Sequence, residues 1–222
     1  SFVEEGRLEV LRLEEVSDSA SLASFLATDD RTRTLAERAA QIGEEAHLQV
    51  DFHDVVTHNA KAALKHHAES TKAEWIVMEW PTRHDLRFLV RHPLAWWIDH
   101  PPCDLAIFLD RAGPFDGDTS DDFERILVLA EPGPYDSLLV HVADKLASSQ
   151  KDALITLFEP VDVDTSEAVM QQHAAYHEQL GSMCASPCKS LIVRGENPYK
   201  TIADVGKDYD ILILGAPPER PF

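Results

Sequence analysis

Any chemistry in this chain would have to come from its histidines, its cysteines and one arginine cluster. His173 and His177 stand four apart, the spacing that puts two imidazoles on one helix face, as in helical metal sites. No Glu follows His173 in the HExxH arrangement, so the pair carries no protease signature. His66, His67, His84, His92 and His100 invite a metal or pH-sensing role, but adjacent His66 and His67 leave a helix on different sides. The histidines are therefore expected at the surface, with no metal held. Cys184 and Cys188 are four apart rather than in CxxC order, and no second ligand pair completes a zinc site. Nothing along the chain places a base beside either thiol. A GxSxG elbow, a Walker loop and a GxGxxG fingerprint are all missing. No catalytic residue is expected, and the chain reads as a non-enzyme.

Arg83, Arg87, Arg91 and His92 make up the one basic cluster, close to Trp96 and Trp97. Such a cluster serves either as a solvated loop of Arg–carboxylate pairs or as an anion or membrane-domain contact at the edge of a sheet. A Trp pair tends to split, with one ring in the core and the other at an interface. Trp96, Trp97, Arg87 and Arg91 are therefore the expected interface residues.

Composition narrows the partners. A formal charge of −19 argues against nucleic acid and against anionic membranes, both of which need Lys and Arg. The same acidity suits the surface of a protein from a salt-accumulating, halophile cell. No apolar run approaches the ~18 residues of a membrane span. The opening residues are polar and acidic, without the order of a signal peptide. Three cysteines, an odd number, suit reduced thiols in a cytosolic protein.

The elements that must position these groups alternate. Strands are expected at Leu8–Val16, Leu48–Val56, Trp75–Met78 and Leu105–Leu109, then at Ile126–Ala130, Ala153–Phe158, Lys189–Arg194 and Ile211–Leu214. Helices are expected at Arg31–Glu45 with Leu35, Ala39 and Ile42 at helical spacing, and at Ala60–Ser70 with Ala63, Leu64 and Ala68 inward. Further helices follow at Pro93–Asp99, Pro134–Ser148, Ser166–Cys184 and Pro198–Lys207. Ser166–Cys184 carries Val169, Ala174, Tyr176 and Leu180. Trp75–Met78 is a short continuous apolar strand of the kind buried on both faces of a parallel sheet. Strands alternating with helices imply an α/β fold with parallel sheets. The Gly-, Pro-, Asp- and Ser-rich stretch within 113–122 reads as a linker between domains at 1–112 and 123–222.

The two halves repeat. Ala73-Glu74-Trp75-Ile76-Val77-Met78-Glu79-Trp80-Pro81 returns in outline as Tyr209-Asp210-Ile211-Leu212-Ile213-Leu214-Gly215-Ala216-Pro217. Leu8-Glu9-Val10-Leu11-Arg12-Leu13-Glu14-Glu15-Val16 is echoed by Ala153-Leu154-Ile155-Thr156-Leu157-Phe158-Glu159-Pro160-Val161. The unit is roughly 140 residues. On this repeat, the counterpart of Arg125–Ala130 would precede Ser1 and that of Cys103–Leu109 would follow Phe222. The expectation is a piece of a longer polypeptide, with the first domain lacking its first strand and the second its last.

With Ile126-Leu127-Val128-Leu129-Ala130 opening a unit and Asp210-Ile211-Leu212-Ile213-Leu214-Gly215 near its end, the chain resembles the universal stress protein domain, in tandem. Two tracts, Pro93–Phe108 and Ile126–Asp136, look like ones found in archaeal transporters of the amino-acid/polyamine/organocation permease superfamily, which carry tandem stress-protein domains after their membrane helices. The resemblance implies two adenine nucleotide alpha hydrolase-like parallel-sheet sandwiches, each incomplete at a chain end.

Nucleotide-binding members of the stress-protein family use an Asp after the first strand, a GxxG loop after the fourth and a Gly-Ser or Gly-Thr further on. Those glycines let backbone N–H groups approach phosphates closely. In the first copy the loop reads Glu79-Trp80-Pro81-Thr82 and the later position falls within Arg91-His92-Pro93-Leu94, so both glycine elements are missing. In the second copy Gly215 matches, Pro218 replaces the second glycine, and Glu131, followed by Pro132-Gly133, replaces the Asp. Glu131, Gly133 and Gly215 thus outline a degenerate nucleotide site, and no other cofactor is expected.

The function implied is a non-catalytic, cytosolic regulatory domain of a membrane transporter, an amino acid permease. Its expected partners are the transporter's own membrane domain and a second copy in a homodimer. The resemblance leaves two other readings: a stand-alone tandem stress protein binding ATP or another nucleotide, and the C-terminal regulatory domain of a prokaryotic cation–chloride cotransporter.

Overall fold

The computed structural model describes residues 7–19, 21, 30–79, 96–98, 100–109 and 123–215. Alternation in RLEVLRLEE gives strand β1 (Arg7–Glu15), which pairs parallel with β2 (Gln49–Thr57) from Arg7↔Gln49 to Glu15↔Thr57. Helix α1 (Asp30–Ala46) makes the crossover between them. Helix α2 (Ala60–Thr71) follows β2. Asn59 caps it, its side chain accepting the Ala62 N–H at 3.0 Å, and Lys72 ends it in the left-handed region at φ 54°. Strands β3 (Trp75–Glu79) and β4 (Asp104–Phe108) pair parallel as a separate two-stranded sheet.

α1 departs from the expected pattern. Its inward line is Thr32, Ala36, Ala39 and Gly43, while Leu35 and Ile42 are exposed. Small residues on the inner face let the helix axis approach β2, where a Cβ on Gly43 would lie 2.6 Å from Val50 Cγ2. β3 also differs from a strand buried on both faces: Val77 is 71% exposed, so the described elements leave one side of β3 open.

The second half builds a four-stranded parallel sheet. Its strands are β5 (Arg125–Leu129), β6 (Leu154–Val161), β7 (Cys188–Arg194) and β8 (Ile211–Ile213), in the order β7-β6-β5-β8. Helices α3 (Asp136–Ser148), α4 (Glu167–Gly181) and α5 (Pro198–Gly206) connect them. The continuous apolar runs of β5 and β6 have the burial expected of a covered parallel sheet, with Ile126, Leu127, Val128, Ile155, Leu157 and Phe158 all inaccessible or nearly so. Each such side chain contributes about 1.5–3 kcal/mol. α3 covers one face through Val140, Ala143 and Ala147. α4 presents His177 and Leu180 to the sheet, whereas Val169 and Ala174 face outward.

The chain is thus an α/β protein of parallel sheets, and its described residues fall into two compact units, 7–109 and 123–215. No described helix is long and apolar enough to cross a membrane. The stretch 113–122 lies outside the described residues.

Candidate functional site

In the order β7-β6-β5-β8 the chain first steps outward from β5 to β7, then crosses back to place β8 on the far side of β5. Open parallel sheets bind ligands beyond the carboxyl ends of their strands near such a reversal. That edge is formed here by Glu131 after β5, Asp162 after β6, Gly195 after β7 and Leu214-Gly215 after β8. A cleft of about 340 Å³ opens along it, lined by Glu131, Val161, Asp162, His173, Gly195 and Pro198.

Beneath the cleft lies a buried polar group. Glu159, near the end of β6, is almost fully enclosed, and its Oε1 lies 2.7 Å from His173 Nδ1. The two are at ion-pair distance without the alignment of a hydrogen bond. His177, one helical turn on, is enclosed: its Nε2 lies 3.0 Å from the Ala130 carbonyl and 3.4 Å from Glu159 Oε2, and its Nδ1 lies 2.8 Å from Ser190 Oγ. A carbonyl can only accept, so Nε2 carries the hydrogen. With both nitrogens engaged, His177 is a cross-brace between β5, β7 and α4, not a metal ligand. The surface placement expected for the histidines therefore fails at His177, and His173 is mostly covered. The four-residue spacing that put both on one face also put that face against the sheet.

The turn from β5 into α3 holds Gly133, one of the residues of the expected degenerate site. Here Gly133 donates its N–H to Asp136 Oδ2 at 3.0 Å, and Tyr176 donates its hydroxyl to the same oxygen at 2.5 Å. Asp136, buried at the first residue of α3, brings the chain's own carboxylate to the positive end of that helix. Burial, then the Asp136 hydrogen bond, push the Tyr176 phenol up to about 12. Glu131 forms part of the cleft wall. Gly215 sits against α3, where a Cβ would lie 3.1 Å from Leu139 Cδ1, so the glycine serves close packing of helix on strand. The edge is carboxylate-rich, with His173 as the basic side chain in the cleft lining.

In the other unit, Trp97 is buried and Trp96 is half-buried, stacked on His100 with ring centroids 5.4 Å apart and with Lys61 Nζ 6.0 Å from its ring. Arg87, Arg91 and residues 80–82 of the first-copy loop lie outside the described residues. Cys103, Cys184 and Cys188 are free and half-buried. Among the described residues, the group that could hold a metal is Glu9, His53 and His67. No protein-family model matches the chain, and no curated protein matches it significantly.

Proposed function

We propose that the chain is a tandem pair of universal-stress-protein-like domains serving as the non-catalytic cytosolic regulatory part of a membrane transporter, an amino-acid permease. The observation that carries this reading is the state of the sheet's carboxyl edge. The strand order is that of a ligand-binding α/β sheet, yet the Gly133 N–H in the turn after its first strand is held by Asp136, and the cleft is lined by Glu131 and Asp162. An anionic edge repels a nucleotide's phosphates and suits contact with a basic protein surface.

Repetition of the unit is supported by topology. Taking β5, β6, β7 and β8 as first to fourth, the sheet reads third-second-first-fourth. The sequence echo makes β1 and β2 the second and third strands of the other copy, and β3 and β4 its fourth and fifth. The pairs β1-β2 and β3-β4 then flank the place of a central first strand. Regulation would pass through contacts with the membrane domain and through pairing of two copies, with Trp96, Arg87 and Arg91 as the contact residues and Trp97 buried.

The reading frame upstream of Ser1 tests this directly. Several apolar segments of about 20 residues each are expected there. A start codon shortly before Ser1 would remove the transporter from consideration and leave the stand-alone stress protein.

A further inference from the structure

We propose that Glu9, His53 and His67 form a binding site for a divalent transition-metal cation, with zinc as the ion. Glu9 lies on β1 and His53 on β2. The register Glu9↔Asp51 and Leu11↔His53 puts the two side chains on one face of the sheet, diagonally adjacent. α2 covers that face through Leu64 and Ala68, and His67 shares its inner side. The helix is fixed at both ends, by Asn59 and by the left-handed Lys72, so its position over the strands is set by the fold.

Three donor atoms converge there. Glu9 Oε2 lies 2.5 Å from His67 Nε2 and 3.7 Å from His53 Nε2, and all three lie within 4.8 Å of one another. The two rings meet edge to face, with centroids 5.0 Å apart. All three atoms are buried, and none makes a hydrogen bond of acceptable geometry. Buried polar atoms are nearly always satisfied, so three unsatisfied ones aimed at one point call for a common partner. Bonds of about 2.0–2.2 Å in a tetrahedral array separate neighbouring ligand atoms by roughly 3.3–3.6 Å, so small side-chain shifts suffice.

The donor set fits the ion. One carboxylate and two imidazoles are a zinc set that leaves a fourth position open. The side chains are 14% (Glu9), 36% (His53) and 24% (His67) exposed, enough for water or a small ligand to reach that position. Arg7 Nη2 lies 3.1 Å from Glu9 Oε1, the other carboxylate oxygen, and its Nε pairs with Asp51. That contact orients the carboxylate and leaves Oε2 toward the ion, as outer partners of metal ligands do. The site stands independently of the transporter reading.

The test is calorimetric titration of zinc chloride into the full chain, with histidine footprinting by diethyl pyrocarbonate. The expected result is one saturable site, with affinity falling at least about tenfold in His53→Ala and in Glu9→Gln and staying unchanged in the exposed control His66→Ala. In the unaltered chain, zinc should protect His53 and His67 from modification and leave His66 reactive, a readout that survives any folding defect in the variants. The absence of saturable binding, affinity unchanged in His53→Ala, or protection elsewhere would overturn the proposal.

Discussion

Tyr176 on α4 donates its hydroxyl to Asp136 at the first residue of α3, tying the two helices together through residues 40 apart along the chain. Burial, and then this bond, raise the phenol to about 12. The contribution is fully present below the unfolded value near 10 and is lost as pH rises from there through about 12, because the unfolded chain gives up the proton first. Urea denaturation across pH 9–12 should show this decline, and Tyr176→Phe should lack that share of it while losing about 1 kcal/mol at neutral pH. An identical pH slope in the variant would refute the assignment.

Gly43→Ala should destabilise the fold. A mid-helix Gly-to-Ala change ordinarily gains up to about 1 kcal/mol, but the added carbon would stand 2.6 Å from Val50 Cγ2 and 3.1 Å from the Leu48 carbonyl. Overpacking of this kind costs about 1–3 kcal/mol. Gly206→Ala is the control, since its new carbon meets Leu212 at an ordinary 3.7 Å. Thermal melts should show a lower midpoint for Gly43→Ala and none for Gly206→Ala.

Cys188 should alkylate before Cys184. The contact between the two thiols lowers Cys188, against the opposing effect of its burial, and raises Cys184. Iodoacetamide labelling at neutral pH, followed by peptide mass spectrometry, should find adduct on Cys188 first. Equal rates would contradict this ordering of the two thiols.

Much of the fold is legible along the chain, because continuous apolar runs and helix caps are local signals. The expected Ile126–Ala130 strand lies within one residue of β5, and the expected Ala60–Ser70 helix within one residue of α2. Which side of a helix faces inward proved harder. Spacing favoured Leu35 and Ile42 on α1, but the close approach of β2 selects the small face through Gly43. The polar clusters were less legible still. Glu9, His53 and His67 come from three elements, and only the β1–β2 register brings them together. Glu159 passes as one polar residue at the end of an apolar strand, and its burial follows from α4 lying over it. A charged residue inside a run such as LITLFEPV is the signal that could have marked it.

In the proposed function the sheet's carboxyl edge works through protein contacts and not through a nucleotide. Calorimetric titration of ATP, AMP and cyclic dinucleotides into the chain at high salt tests it most directly. The expected result is no binding heat with any of them, because Asp136 already holds the Gly133 N–H and the N-terminal end of α3. Saturable binding at micromolar affinity would contradict the claim and make this edge a nucleotide sensor.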